Sequence, residues 1–163
     1  MAKPASSTAE RPRLWDATDA LAWVARDILR NRQEGFPAAV AAGKLTPEQA
    51  ATGLRIAAAI ASDWTTAIEQ SAHYADSAYV ADMAARPLTL DRTAGATHAE
   101  RHQALSSVLR HPKIAADPAY AELVEALIWW EEAPRCGRAT IAQLNAINAE
   151  CRARAQTSRR SAA

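Results

Sequence analysis

His98 and His102 lie one helical turn apart, so both imidazoles could reach one metal ion from a single helix face. The H-A-E-R-H run, however, sets Glu100 at a different offset from the glutamate of the H-E-x-x-H metalloprotease pattern. Neither His73 nor His111 stands at a recognised ligand spacing from the pair. An exposed first-turn pair is the simpler reading, and no metal or cofactor is expected. Cys136 and Cys151 fall on different predicted elements and form no C-x-x-C unit, which suggests neither zinc nor a redox couple and fits a reducing compartment. Glu131 and Glu132 are adjacent, so they cannot face one another across a helix as paired acid and base. There is also no Gly-rich phosphate loop and no nucleophile in a recognisable strained turn. Enzyme activity is therefore not expected, and attention moves to side chains that could bind.

Two tryptophans stand where a helical wheel predicts polar surface. Trp23 lies among Asp19, Arg26, Asp27 and Arg30, opposite the apolar arc Leu21, Val24, Ala25, Ile28 and Leu29. Trp129 falls in the stripe marked by Glu122, Glu125 and Glu132, while Tyr120, Leu123, Leu127 and Trp130 form the other side. An exposed tryptophan buries a large area at small entropic cost when a partner arrives. Trp23, Arg26, Arg30, Trp129, Glu122 and Glu125 are thus the expected partner-contact residues; the plainer alternative packs each tryptophan on a neighbouring helix or an arginine. A second candidate surface is basic. Arg138, Gln143, Arg152, Arg154, Arg159 and Arg160 on the last helix and its tail could follow a phosphate backbone. A solvated basic tail is the plainer reading, and the preceding turn is longer than the roughly three to four residues of a helix-turn-helix.

The whole-chain balance favours neither partner class. Net charge is +1 over 163 residues, too small for a global field that selects nucleic acid, membrane or acidic substrates. No apolar stretch reaches the roughly 18 residues of a membrane span, and the N-terminus MAKPASSTAERPR lacks the apolar centre of a signal peptide. A cytoplasmic location in a bacterial host is expected.

The elements that must position these side chains are helices. Alanine dominates the apolar residues, Phe occurs once and Gly five times, and no run alternates as a strand would. The first helix is predicted from an Asp16 cap to about Glu34, with Gly35-Phe36-Pro37 breaking it and a short continuation ending at Gly43. Thr46-Pro47-Glu48-Gln49 is a capping box with proline at the first helical position. The seam Leu54, Ala57, Ala61, Trp64, Ile68, Ala72, Ala75, Tyr79 and Met83 follows it, near enough to a heptad to leave a helical homodimer open. It predicts one helix over 47–86, about 40 residues and so roughly 60 Å. A break near Ser62–Thr66, with Thr66 as a second cap, is the alternative.

Residues 87–97 read as a linker, Thr97 caps a third helix, Asp117-Pro118 starts a fourth, and Thr140 caps a fifth. The expected architecture is all-α: a long helical hairpin followed by a three-helix group, about five main helices in a bundle. Residues 1–13 are expected to be a disordered tail, 14–157 a single domain with possible sub-units 14–86 and 97–157, and 158–163 a basic disordered tail.

The segment from Val24 to Trp64 resembles a helical hairpin that recurs in small uncharacterised proteins of bacteriophages and prophages. The resemblance rests on the Arg/Glu-rich Arg26–Glu34, the aromatic-proline pair Phe36-Pro37, the apolar turn Val40–Lys44, Thr46, and the aliphatic run Glu48–Ile60. It implies a phage or mobile-element origin and carries no functional residue with it. The resulting expectation is a non-enzymatic protein that binds a protein or ribonucleoprotein target, host-defence (anti-CRISPR-type) inhibition being one form. The alternative is a nucleic-acid-binding accessory subunit using the basic last helix.

Overall fold

A computed structural model describes residues 11–71, 95–132 and 138–161, with the side chains of 138–140 and 161 outside the description. Among these residues six helices form an all-α bundle without strands: α1 (Thr18–Ala41), α2 (Pro47–Gln70), α3 (His98–Leu109), α4 (Pro112–Ala115), α5 (Pro118–Trp130) and α6 (Arg138–Ser161). α1 and α2 form an antiparallel hairpin; α5 packs on α1 and α3, while α6 and α3 pack on α2.

Four local signals act where they were expected. Thr46 Oγ1 accepts from the Gln49 amide at 3.1 Å while Gln49 Oε1 accepts from the Thr46 amide at 2.9 Å. Thr97 and Glu100 make the same reciprocal pair. Each box satisfies two amides that the first helical turn leaves without partners. Asp117 accepts from the Tyr120 amide and starts α5. At the hairpin turn Gly43 takes φ +69°, where a side chain is strained, and Lys44 N donates back to Ala39 O at 2.9 Å.

Four boundaries differ from expectation. α1 begins at Thr18 rather than at an Asp16 cap, because Pro12–Ala17 folds into successive turns that carry Trp15 inward. Thr18 itself is buried, its hydroxyl donating to Asn145 of α6 at 2.7 Å. The Gly35-Phe36-Pro37 break is absent: α1 runs through Pro37 to Ala41. The carbonyl that Pro37 leaves without an amide belongs to exposed Gln33, where water can reach it, and Phe36 and Arg32 tie this turn to α2. α2 is unbroken through Ser62–Thr66; continuation of the 47–86 helix beyond Ser71, with seam residues Ala72 to Met83, lies outside the described residues. α6 starts at Arg138, two residues before the Thr140 cap, and reaches Ser161, so 158–161 is helix rather than tail.

The core draws on both halves of the chain. Leu21, Val24, Ile60, Trp64, Leu105, Val124, Leu127, Trp130 and Ile141 belong to one buried cluster. Within the seam Ala57, Ala61 and Trp64 are buried, but so are Ile56, Ala59 and Ile60, since α2 has neighbours on three sides. Leu54 and Ile68, at the two ends of the described seam, are half-buried. Each fully buried Leu or Val side chain contributes about 1.5–3 kcal/mol.

Candidate functional site

Trp23 is the prominent exposed aromatic side chain of the described residues, at 49% exposure, as its wheel position predicts. Its ring meets Tyr120 of α5 edge to face, with centroids 6.2 Å apart. The Tyr120 hydroxyl donates to Asp27 Oδ2 at 2.9 Å, and Asn31 Nδ2 donates to the same oxygen at 2.8 Å. Burial, together with the Asp27 carboxylate, pushes the Tyr120 phenol up from its ordinary value. Arg30 pairs with Asp27 from solvent, and Arg26 is exposed on the same face. Trp23, Arg26 and Arg30 therefore share one accessible strip of α1, braced from below by Tyr120 and Asp27.

Trp129 is not part of that surface. Its predicted position in an exposed acidic stripe is corrected: the ring is 9% exposed. Trp15, from the segment before α1, closes over it with ring centroids 5.9 Å apart and stacks on Trp130 at 6.2 Å. The Trp130 indole N–H donates to Trp15 O at 2.8 Å. Arg13 reaches Glu122 in an ion pair, and Arg11 lies 4.3 Å above the Trp15 ring. Glu122 is thereby engaged within the chain, whereas Glu125 remains exposed. Arg13 belongs to the stretch expected to be a tail. The Trp15 ring over Trp129 shows why a wheel drawn for α5 alone misplaced that side chain.

Between α2, α3 and the end of α5 lies a buried ionic cluster that the sequence reading did not anticipate. Arg101 and Asp63 are 2% and 3% exposed, and a 2.5 Å bond joins Arg101 Nη1 to Asp63 Oδ2. The same nitrogen is 3.8 Å from Glu131 Oε1, and Glu131 Oε2 takes the other contact at 2.6 Å from His98 Nδ1. Burial raises the Glu131 carboxyl above the usual carboxylate range, with His98 and Arg101 opposing that rise. His98 thus faces a carboxylate rather than His102. Among the described residues no three His, Cys, Asp or Glu side chains gather as a metal would require. The available signals were an Asp inside the apolar run Ile56–Trp64 and an Arg one turn after His98.

The basic surface is real but dispersed. Every residue from Ala149 to Arg160 is exposed, so the last turns of α6 stand clear of the bundle. Arg152 lies 3.3 Å from Asp19, and Arg154 pairs with Glu150 at 3.4 Å. Arg152, Arg159 and Arg160 fall on adjoining positions of one helix face; Arg154 points to the opposite side. Gln143 is exposed, and the side chain of Arg138 lies outside the described residues. No described helix is long and apolar enough to cross a membrane.

Comparison of the chain with protein-family models, curated proteins and solved structures finds no match.

Proposed function

We propose that the chain is a non-enzymatic binding protein of a phage or other mobile element, acting on a protein or ribonucleoprotein target through the Trp23 strip of α1. The observation that carries this reading is Trp23 itself, about half exposed yet held edge to face by Tyr120, with Arg26 and Arg30 beside it. Tryptophan and arginine are the side chains most often found to dominate binding energy at interfaces. The likeness of Val24–Trp64 to phage helical hairpins supports the origin, and inhibition of a host defence complex is the specific form this reading favours. The test is affinity capture from bacterial lysate with the wild type and a folded Trp23→Ala/Arg26→Glu variant. A protein retained by the wild type and lost from the variant is expected. An identical set of retained proteins overturns the reading.

A second reading rests on the clear projection of α6 from the bundle. Arg152, Arg159 and Arg160 would neutralise phosphates of DNA or RNA, making the chain an accessory subunit of a nucleoprotein complex. It requires salt-sensitive binding that weakens when these arginines are replaced. Absence of DNA or RNA retention at low salt eliminates it.

A further inference from the structure

A groove of about 720 Å³ opens between α1, the hairpin turn and the α3–α4–α5 corner. Its volume lies within the range of roughly 300–1,000 Å³ common for small-molecule sites. The apolar walls come from Ile28, Phe36, Leu45, Val108 and Ile114. The charged lining side chains are Arg32 and Lys113, His111 lines the groove from the cap of α4, and no carboxylate lines it.

Arg32 is the unusual member. Arg32 is half-buried on α1, where its Nη1 donates to Gly53 O at 2.9 Å and its Nη2 approaches Ala104 O at 3.5 Å. Its guanidinium carbon lies 5.9 Å from the Phe36 ring centroid. These partners are all neutral. On its own helix Asp27 is engaged by Arg30, Asn31 and Tyr120, and the side chain of Glu34 is exposed and does not line the groove. Burial consequently lowers the guanidinium's pKa with no anion to offset it. A partly buried cation satisfied only by carbonyls is stabilised further by an anion that brings its own apolar cover. His111 Nδ1 accepts from the Lys113 amide at 3.3 Å, which leaves Nε2 as the ring's donor.

We infer that this groove binds a small organic anion, a carboxylate or sulfonate joined to an aromatic or branched aliphatic body, with Arg32 and Lys113 facing the charge. A peptide is disfavoured because the walls are helices whose backbone groups are bonded internally, so no strand edge is available to it. The groove adjoins the Trp23 strip and shares Tyr120 with it as a wall, but its preference for charge rests on Arg32 and Lys113 and not on the Trp23 ring.

The probe is 2-naphthoate, compared with its neutral counterpart 2-naphthalenemethanol, by calorimetry and by methyl-resolved NMR of the full chain. Expected are shifts at Ile28, Val108 and Ile114 and at least about tenfold tighter binding of the acid, the scale of one charge-assisted hydrogen bond. Arg32→Gln should remove that preference, Arg32→Lys should keep part of it, and Trp23→Ala should leave it unchanged. Lys113 is exposed, so Lys113→Glu preserves the fold and supplies an independent loss of about tenfold even if Arg32→Gln fails to fold. Equal binding of acid and alcohol, no binding of naphthoate at millimolar concentration, or shifts elsewhere in the bundle would each overturn the inference.

Discussion

The Arg101 guanidinium donates to the Asp63 carboxylate at 2.5 Å with both side chains almost wholly shielded from water. Two charges so placed lose hydration that only their mutual attraction and further bonds offset. The arrangement therefore fixes how α2 and α3 meet more than it adds to stability. Arg101→Met should be severe, since it removes the guanidinium that bonds buried Asp63 and leaves Glu131 with His98 alone of the two cations near it. A loss of about 3–5 kcal/mol is expected. In thermal unfolding this appears as a Tm lower by roughly 10 °C. The double variant Asp63→Leu/Arg101→Met should recover most of that loss. A single variant as stable as the wild type would show that the pair does not hold the helices.

Two carboxylates should give opposite pH dependences. Glu100 is held down to about 2 by Arg55 and by the Thr97 amide of its capping box. Because its folded value is depressed, its contribution is complete above the unfolded value near 4.5 and is lost as pH falls towards 2. Glu131 has its folded value raised by burial, so its contribution is complete below the unfolded value and is lost as pH rises through the folded one. Carboxyl-resolved NMR titration should place Glu131 above 4.5 and Glu100 well below it. Glu131→Gln should flatten the fall in stability on the alkaline side of that window. An unchanged profile would place the titrating group elsewhere.

What the sequence made legible was local. The Thr46 and Thr97 boxes, the Gly43 turn and the Asp117 cap each depend on a few neighbouring residues, so spacing alone identifies them. The exposure of Trp23 was legible for the same reason, because the opposite face of α1 holds enough apolar residues to be its core side. Trp129 and the Asp63–Arg101 pair depend on segments far away in the chain. Nothing in the α5 pattern announces that Trp15 will cover it from 114 positions upstream. Pro37 misled for a related reason: a proline weakens a helix locally, but Phe36 and Arg32 dock this turn onto α2 and the helix continues through it.

The two tryptophans provide a direct contrast. Trp129→Ala removes a ring packed against Trp15 and Trp130 and should cost about 3–5 kcal/mol, as large-to-small core changes do. Trp23→Ala removes one edge-to-face contact and about half a ring of burial, and should cost about 1 kcal/mol. Denaturant unfolding of both variants measures the difference. Similar costs would mean that Trp23 belongs to the core and cannot serve as a contact surface.

Gly53 lies inside α2, where glycine ordinarily weakens a helix by about 1 kcal/mol relative to alanine. Here a Cβ would stand 2.7 Å from Cε2 of Phe36, closer than carbon atoms approach. The glycine thus permits α1 and α2 to come together at the turn that Pro37 would otherwise loosen. Gly53→Ala should destabilise by about 1–3 kcal/mol, because displacement of a packed ring outweighs the gain in helix propensity. Phe36→Leu in the same chain shortens the opposing side chain and should reverse the sign, with Gly53→Ala then stabilising by a few tenths of a kcal/mol or more. The double-mutant cycle measures this coupling. Additive effects would separate Gly53 from Phe36 and leave the helix's passage through Pro37 to the Arg32 contacts alone.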